Sequence, residues 1–222
     1  MTRVVLKLGG RVAAGAAARA RELHEGGHEV VVVHGAGPQI TAEMKRRGVP
    51  VRFVAGRRAT TAAGLEVVRE SLAAVNAEVC AAIGASAVSL AGDEIGLSAA
   101  RIPELGLVGR ALPSAPPAIE EALRAGYIPV VLPLAAGPLN VNADEAAAAL
   151  AVGLGASRLV FETDVQGVVV DGDVAGQLSA DEAACLLNAG AFDGGIVPKL
   201  LAAVRSARHG IPAEIGVTSV SA

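Results

Sequence analysis

Runs of consecutive branched apolar residues alternate with longer alanine-rich stretches along this chain, and this alternation is what most constrains its fold. Residues 30–33 are four valines in a row, which predicts a strand buried on both faces, as in a parallel sheet. Similar runs occupy residues 4–8, 128–132 and 158–162. Strands that alternate with helices imply right-handed crossovers. We therefore expect an α/β fold, an α/β/α sandwich whose mainly parallel central sheet is covered by helices on both faces.

The remaining elements follow from periodicity and capping residues. Thr61 and Ser179 are suited to cap helices, because their hydroxyl groups can accept from the free N–H groups of a first turn. Short strands are expected at 51–54, 87–90 and 213–217, and an irregular stretch from 91 to 111. Helices are expected at about residues 12–25, 39–47, 61–83, 118–125, 144–153, 179–188 and 196–209. No repeat or linker divides the chain, so we expect a single domain.

The composition argues against several classes of protein. Hydrophobic residues make up 52% of the 222 residues and charged residues 18%, which supplies a core and argues against disorder. The net charge of −3 and the lack of a long basic run argue against nucleic-acid binding. Nothing resembles a signal peptide or a membrane-spanning segment. Cys80 and Cys185 lack metal-ligand spacing. We expect a cytoplasmic protein without a metal cage of its own side chains.

Three glycine-rich turns stand immediately before predicted helices. They are KLGG at 7–10, HGAGP at 34–38 and GGIVPK at 194–199. Glycine lets backbone N–H groups approach an anion, and a helix N-terminus adds partial positive charge. None of the three is a dinucleotide fingerprint or a P-loop, and each alone could be only a tight turn. Two of them on successive strands favour a binding site at the carboxyl edge of the sheet.

Lysine is rare in this chain. Only three of the 19 basic residues are lysines: Lys7, Lys45 and Lys199. Lys7 lies at the end of an apolar strand, and Lys199 lies near the start of the last helix. A lysine in apolar surroundings needs an anionic partner, for which a phosphate is a common choice. The alternative is that both side chains extend to solvent.

Polar residues also follow two later strands. Asn140, Asn142 and Asp144 precede a helix, and either Asn142 or Asp144 could cap it. Asn140 is not needed as a cap, which favours contact with a ligand. Thr163 and Asp164 follow the strand at 158–162, where an aspartate either holds a turn or contacts a nucleotide. The four histidines have no nucleophile or carboxylate arranged around them, so none is assigned a catalytic role.

Taken together, the motifs resemble those of the amino acid kinase family. In chain order they are KLGG at 7–10, VHGAGPQI at 33–40, FVAGRRAT at 53–60, NVNAD at 140–144, TDVQGV at 163–168 and GIVPK at 195–199. The first and the last two are similar to motifs of the wider family. The other three are similar to those of its acetylglutamate kinase branch. The resemblance runs from residue 3 to about residue 210.

The resemblance implies an activity and a set of site residues. The γ-phosphoryl group of ATP, accompanied by Mg²⁺, would be transferred to the side-chain carboxylate of N-acetyl-L-glutamate, a step of arginine biosynthesis. Such a carboxylate is already ionised at neutral pH and needs no general base. The implied catalytic residues are Lys7, Lys199 and Asp144, the last holding the lysines in place. The implied substrate-binding residues are Gly35, Ala36, Gly37, Arg58 and Asn140, and the implied nucleotide-binding residues are Gly9, Gly10, Thr163 and Asp164.

The same resemblance implies two lobes and a dimer. Residues 1–136 would carry the acyl substrate and the dimer face, and residues 137–222 the nucleotide. Because the first strand begins almost at Met1, without the N-terminal extension of arginine-inhibited hexameric members, we expect a homodimer without arginine feedback.

Three features depart from the family pattern. Ala36 stands where the family usually has glycine, which is harmless only if its φ angle is negative. Arg57 stands where the family has an apolar residue and adds positive charge near the substrate. The segment 216–220 resembles a shortened form of the family's last nucleotide-side strand, from which ATP binding that is weaker or differently enclosed is expected. Two alternatives follow: a kinase acting on another small carboxylate, a carrier-linked amino acid or a phosphorylated metabolite, or a non-catalytic regulatory homologue.

Overall fold

The structure, a computed structural model, describes residues 2–9 and 13–222. Gly10, expected to contact the nucleotide, and the predicted start of the first helix at Val12 lie outside the described residues. The helices are α1 Ala13–Glu25, α2 Gly37–Arg46, α3 Ala62–Ile83, α4 Pro117–Arg124, α5 Ala143–Gly153, α6 Ala180–Asn188 and α7 Ile196–Ala207. The strands are β1 Arg3–Leu8, β2 Glu29–His34, β3 Phe53–Val54, β4 Arg57–Arg58, β5 Ala87–Ala91, β6 Ala99–Arg101, β7 Val108–Ala111, β8 Ile128–Leu132, β9 Leu134–Ala135, β10 Leu139–Val141, β11 Arg158–Glu162, β12 Val169–Val170, β13 Asp173–Val174, β14 Gln177–Ser179, β15 Ala213–Ile215 and β16 Thr218–Ser221.

An eight-stranded sheet forms the centre of the molecule. Its strand order is β14-β16-β15-β11-β1-β2-β8-β5, and every neighbouring pair is parallel except β15 and β16. The continuous apolar runs read from the sequence are β1, β2, β8 and β11, and they occupy inner positions. The predicted α/β class with a mainly parallel sheet is confirmed.

Helices cover both faces of this sheet. Alternate residues of β1 point to opposite faces, so that Val5 packs with α4–α7 while Leu6 packs with α1–α3. Helix α5 contributes six consecutive buried residues, 146–151, five of which are alanine. Small side chains allow this helix to lie close to the strands, which brings its N-terminus to the carboxyl ends of β1 and β2.

The prediction of an irregular stretch from 91 to 111 was wrong. This stretch contains β6 and β7, which form a four-stranded sheet with β9 and β10 in the order β6-β7-β10-β9. Strands of two to four residues are too short to show a two-residue period, and so the sequence pattern does not reveal them.

The predicted last strand, 213–217, is instead a hairpin of two antiparallel strands, β15 and β16. Gly216 makes the turn with a φ angle of 56°, and a Cβ there would come within 2.1 Å of the Gln166 carbonyl oxygen. Only glycine fits this position. The capping predictions are confirmed: Thr61 Oγ1 accepts from the N–H of Gly64, and Ser179 forms a capping box with Glu182.

No helix within residues 2–9 and 13–222 is both long enough and apolar enough to cross a bilayer.

Candidate active site

A cavity of about 560 Å³ opens at the carboxyl ends of β1 and β2. Nine of the residues predicted from the sequence line it: Lys7, Gly9, Gly35, Ala36, Gly37, Arg58, Asn140, Asp144 and Lys199. They come from five separate segments of the chain. The fold therefore brings most of the predicted site together at the sheet edge where parallel α/β folds bind ligands.

Lys7 and Asp144 form a buried ion pair in the cavity wall. The distance from Lys7 Nζ to Asp144 Oδ1 is 2.8 Å, and both side chains are more than 90% buried. It is a charge contact rather than an aligned hydrogen bond, because Oδ1 has no hydrogen-bond donor among the described residues. Because Asp144 supplies the opposite charge, Lys7 is not an isolated buried charge, which would be strongly destabilising.

Asn142 is the residue that caps helix α5. Its side-chain oxygen accepts from the backbone N–H groups of Asp144, at 2.8 Å, and Glu145, at 3.2 Å. Of the two capping alternatives, the structure therefore selects Asn142. Since Asp144 is not needed as a cap, its carboxylate is available to Lys7.

Lys199 lies in the first turn of α7, where its Nζ donates to the carbonyl oxygen of Gly195 at 3.2 Å. Burial lowers the pKa of Lys199 below its ordinary value of 10.5, with Asp144 and Asp164 opposing and Lys7 adding to the decrease. Lys7 and Lys199 are therefore close enough to repel each other. An anion bound between them would relieve this repulsion.

The turn between β2 and α2 borders the cavity with its backbone. Ala36 has a φ angle of −141°, so its methyl group causes no strain and its replacement of glycine is harmless. A Cβ at Gly37 would meet no atom within 4 Å, and one at Gly35 would meet only the Cβ of Ala143, at 3.7 Å. The open space beside these glycines lies at the N-terminus of α2, where free N–H groups can bind an anion.

His34, the last residue of β2, is buried directly before this turn. Its ring is 1% exposed, and Nε2 accepts from the side-chain amide of Asn76 at 3.0 Å, since an amide NH₂ can only donate. The same amide donates to the carbonyl oxygen of Val130 at 3.0 Å. Burial lowers the pKa of His34 to about 4. A backbone hydrogen bond at Gly35 opposes this decrease, and the charge of Lys7 adds to it. His34 is therefore neutral at neutral pH. Neither it nor Asn76 was recognised from the sequence as a support.

Arg58 presents a buried guanidinium to the cavity. The residue is 7% exposed, Nη2 donates to Thr41 Oγ1 at 2.8 Å and to the Gly37 carbonyl oxygen at 3.2 Å, and the group lies 4.6 Å from the centre of the Phe53 ring. No carboxylate pairs with it among the described residues. Burial lowers the pKa of Arg58. A buried cation without a counterion marks a position for an anionic ligand.

Asn140 is tied to the strand that carries Arg58. Its Nδ2 donates to Thr60 Oγ1 at 3.0 Å, and Thr60 Oγ1 donates to the carbonyl oxygen of Arg58 at 2.8 Å. The contacts fix the separation of the two polar groups across the cavity.

Arg57 forms an ion pair with Glu145 in the first turn of α5. The extra positive charge that the sequence places beside the site is therefore paired. Glu145 was missed by the sequence analysis, because 88 residues separate it from Arg57 and no local pattern connects them.

Thr163 and Asp164 lie away from the cavity wall. They follow β11, and Asp164 is exposed but close enough to Lys199 to raise its pKa. A role for either residue in nucleotide binding stays a prediction. Among the described residues, no group of three or more histidine, cysteine or acidic side chains is arranged to hold a metal ion.

Comparisons with known proteins agree with this geometry. The sequence matches the Amino acid kinase family over residues 2–216. It is 41% identical to an acetylglutamate kinase of Rubrobacter xylanophilus, over 97% of this chain and 88% of the relative. The structure of smu.665 from Streptococcus mutans is similar, with a TM-score of 0.89 and 26% identity over 99% of this chain and 98% of that one. A carbamate kinase from Giardia lamblia bound to AMP-PNP shares the fold, with a TM-score of 0.77 and 16% identity over 99% of this chain and 98% of that one. The predicted family is thus confirmed, and the chain belongs to the amino acid kinase family.

Proposed function

We propose that this chain transfers the γ-phosphoryl group of ATP to the side-chain carboxylate of N-acetyl-L-glutamate, giving an acyl phosphate. The observation that carries the proposal is the buried, carboxylate-free guanidinium of Arg58 in the same cavity as Lys7 and Lys199. A substrate with two carboxylates matches such a cavity, since one can pair with Arg58 while the other lies by the lysines. The 41% identical acetylglutamate kinase supports this choice of substrate.

In this proposal the α-carboxylate of the substrate binds Arg58. A planar guanidinium suits a carboxylate, because two parallel N–H groups can donate to its two oxygens. Asn140 would contact the same substrate from the opposite strand. With that end fixed, the side-chain carboxylate extends towards the turn at Gly35 and Gly37.

The chemistry requires little beyond positioning and charge. An oxygen of the ionised carboxylate attacks the γ-phosphorus, and the bond from that phosphorus to the leaving oxygen of ADP breaks. Lys7 and Lys199 would donate to the oxygens of the transferring group, and the N-terminus of α2 would add N–H donors. Asp144 would orient the ammonium group of Lys7 through their ion pair, and so act as a positioning residue.

Nucleotide binding forms the second half of the proposal. The carboxyl end of β11 and residues 137–222 would hold ATP, with Gly9, Gly10, Thr163 and Asp164 near the phosphates. Mg²⁺ would enter with the nucleotide, and phosphate oxygens with one or two carboxylates form its usual ligand set. The two lysines that line the cavity, Lys7 and Lys199, would face the phosphates, since Arg58 binds the substrate carboxylate and Arg57 pairs with Glu145.

The proposal also includes a cytoplasmic homodimer that acts in arginine biosynthesis and is not inhibited by arginine. Light scattering tests the dimer, and assays with millimolar arginine test the lack of feedback. A hexamer, or inhibition by arginine, would refute this part.

The deciding experiment is a hydroxamate assay with MgATP and N-acetyl-L-glutamate, run beside glutamate and N-acetyl-aspartate. We expect acyl phosphate from N-acetyl-L-glutamate alone. Product from another acceptor would indicate a related kinase, and turnover with none, together with no nucleotide binding, would indicate a non-catalytic homologue.

An arginine pair sharpens the same assay. Arg58→Ala should raise the KM for the amino acid by at least tenfold with little change in kcat, because the lost contact exists before and during transfer. The control is Arg52→Ala, at an exposed position outside the cavity. Equal KM values for the two variants would remove Arg58 from substrate binding.

A further inference from the structure

A second cavity, of about 440 Å³, lies beside the first and is used by none of the steps above. The two cavities share Gly56, Arg57 and Asn142, and therefore meet along one edge. Helix α7 lines the second cavity with four apolar residues, Val197, Pro198, Leu201 and Ala202, and with Arg205 one turn further along. Leu201 is 55% exposed there, so its apolar side chain is available to a molecule that enters this cavity.

One unused hydrogen-bond donor lies on the shared edge, and one unused acceptor lies beside it in the second cavity. Arg57 Nε and Glu145 Oε2 are both buried, and neither has a hydrogen-bond partner among the described residues, although the two side chains pair through their other atoms. Buried polar atoms are nearly always satisfied, by protein, by water or by a ligand, so these two atoms are available to a ligand of complementary chemistry. A secondary amide fits, because its carbonyl oxygen accepts from Arg57 while its N–H donates to Glu145.

The acceptor proposed above contains such an amide. Its acyl nitrogen and its α-carboxylate are attached to the same carbon. Arg58, to which the carboxylate is assigned, lines the first cavity together with Gly56 and Arg57, so the acyl amide would lie in the same cavity as these two residues. These are residues of the shared edge, and an acyl chain that continues past them enters the second cavity.

We propose that the acceptor site admits N-acyl-glutamates with aliphatic acyl groups longer than acetyl, and that the chain lies against α7. This inference rests on the proposed function and names its substrate class. In it, the ion pair of Arg57 and Glu145 binds the acyl amide, and Val197 and Leu201 cover the methylene groups. Binding of the acyl amide would thus be the role of Arg57, which stands where the family pattern has an apolar residue.

The test is a kinetic series with MgATP and N-acetyl-, N-propionyl-, N-butyryl- and N-hexanoyl-L-glutamate. Burial of one methylene group favours binding by about fourfold when complete, and the open cavity reduces this. We expect kcat/KM to rise about two- to fourfold for each added methylene up to butyryl. A value for N-butyryl-glutamate equal to or below that for N-acetyl-glutamate overturns the inference and leaves the proposed function standing. No turnover of any member, N-acetyl-glutamate included, overturns both.

A pair of leucine variants locates the acyl chain. In Leu201→Asp the ratio of kcat/KM for N-butyryl- to N-acetyl-glutamate should fall to about one, because a carboxylate replaces the apolar wall. The matched control is Leu112→Asp, since Leu112 is similarly exposed, at 41%, and lines neither cavity. The control should keep the ratio of the unmodified protein. If Leu201→Asp keeps it as well, the chain does not lie against α7 and the inference is wrong.

Discussion

His34, at the end of β2, is buried in its neutral form against Asn76 of α3. Mild acid should therefore destabilise the protein through this one side chain. The pKa of His34 is about 4 in the folded protein and returns to about 6.5 when the chain unfolds. The unfolded chain thus binds a proton that the folded protein does not. The stability held by the neutral ring is fully present above pH 6.5, decreases as the pH falls and levels off below about pH 4.

The size of the effect follows from these two values. Each pH unit between them corresponds to roughly 1.4 kcal/mol, so the interval from 6.5 to 4 amounts to about 3 kcal/mol of unfolding free energy. Domains of this kind are stable by only about 5–15 kcal/mol, and a loss of about 3 is readily measured.

The assay is urea unfolding at pH 7, 6, 5 and 4 for the unmodified protein and for His34→Gln. Glutamine can still accept from Asn76 but cannot titrate, and the carboxylates that titrate in this range are common to both proteins. The stability advantage of histidine over glutamine should shrink by about 3 kcal/mol between pH 7 and pH 4. An advantage that does not vary with pH would refute the reasoning. As a control for the loss of a histidine, His209→Gln replaces an exposed histidine outside the site and is measured alongside.

The remaining predictions concern the ion pair and the two site lysines. Lys7→Ala and Lys199→Ala should each lower kcat about 10²–10³-fold, because each removes one preorganised charge that stabilises the transition state. Lys45→Ala, on the exposed face of α2, is the control and should leave kcat unchanged in steady-state kinetics. An unchanged kcat in Lys199→Ala would exclude a role for Lys199 in the transition state. Asp144→Asn should lower the unfolding free energy by about 3–5 kcal/mol, because it leaves Lys7 buried and unpaired. The double variant Lys7→Met/Asp144→Leu should recover most of this stability in urea unfolding. A double variant no more stable than Asp144→Asn would contradict this account. Because the pKa of Lys199 is lowered, kcat/KM should decline on the alkaline side below pH 10.5, and a decline only above that value would contradict the lowered pKa.

The sequence revealed the parts of this fold whose signals are local. A short apolar stretch predicts a buried strand from its own residues, and β1, β2 with its four valines, β8 and β11 were located in this way. Capping is equally local, so that Thr61 and Ser179 were recognised from their own neighbourhoods. The small sheet of β6, β7, β9 and β10 was missed because its strands are held by partners distant in sequence rather than by their own periodicity.

In the candidate site, too, local sequence signals were recognised and contacts between distant residues were not. Lys7 stood out because a lysine at the end of an apolar strand is unexpected, whereas its pairing with Asp144 depends on a contact across 137 residues that only the resemblance implied. Nothing in the sequence could set the φ angle of Ala36 or pair Arg57 with Glu145. Both follow from how α2 and α5 meet the sheet, which tertiary packing decides.

The position of β1 has a consequence for biosynthesis. This strand lies between β2, which follows it closely in the chain, and β11, whose first residue comes 150 residues after the last residue of β1. At about 5–20 residues per second, a ribosome needs roughly 8–30 s to deliver that second neighbour. During this time one edge of an apolar strand, with Lys7 on it, has no partner in the emerging chain. Chaperone capture of the nascent polypeptide should therefore be strongest before residue 158 leaves the exit tunnel and decline sharply once β11 docks.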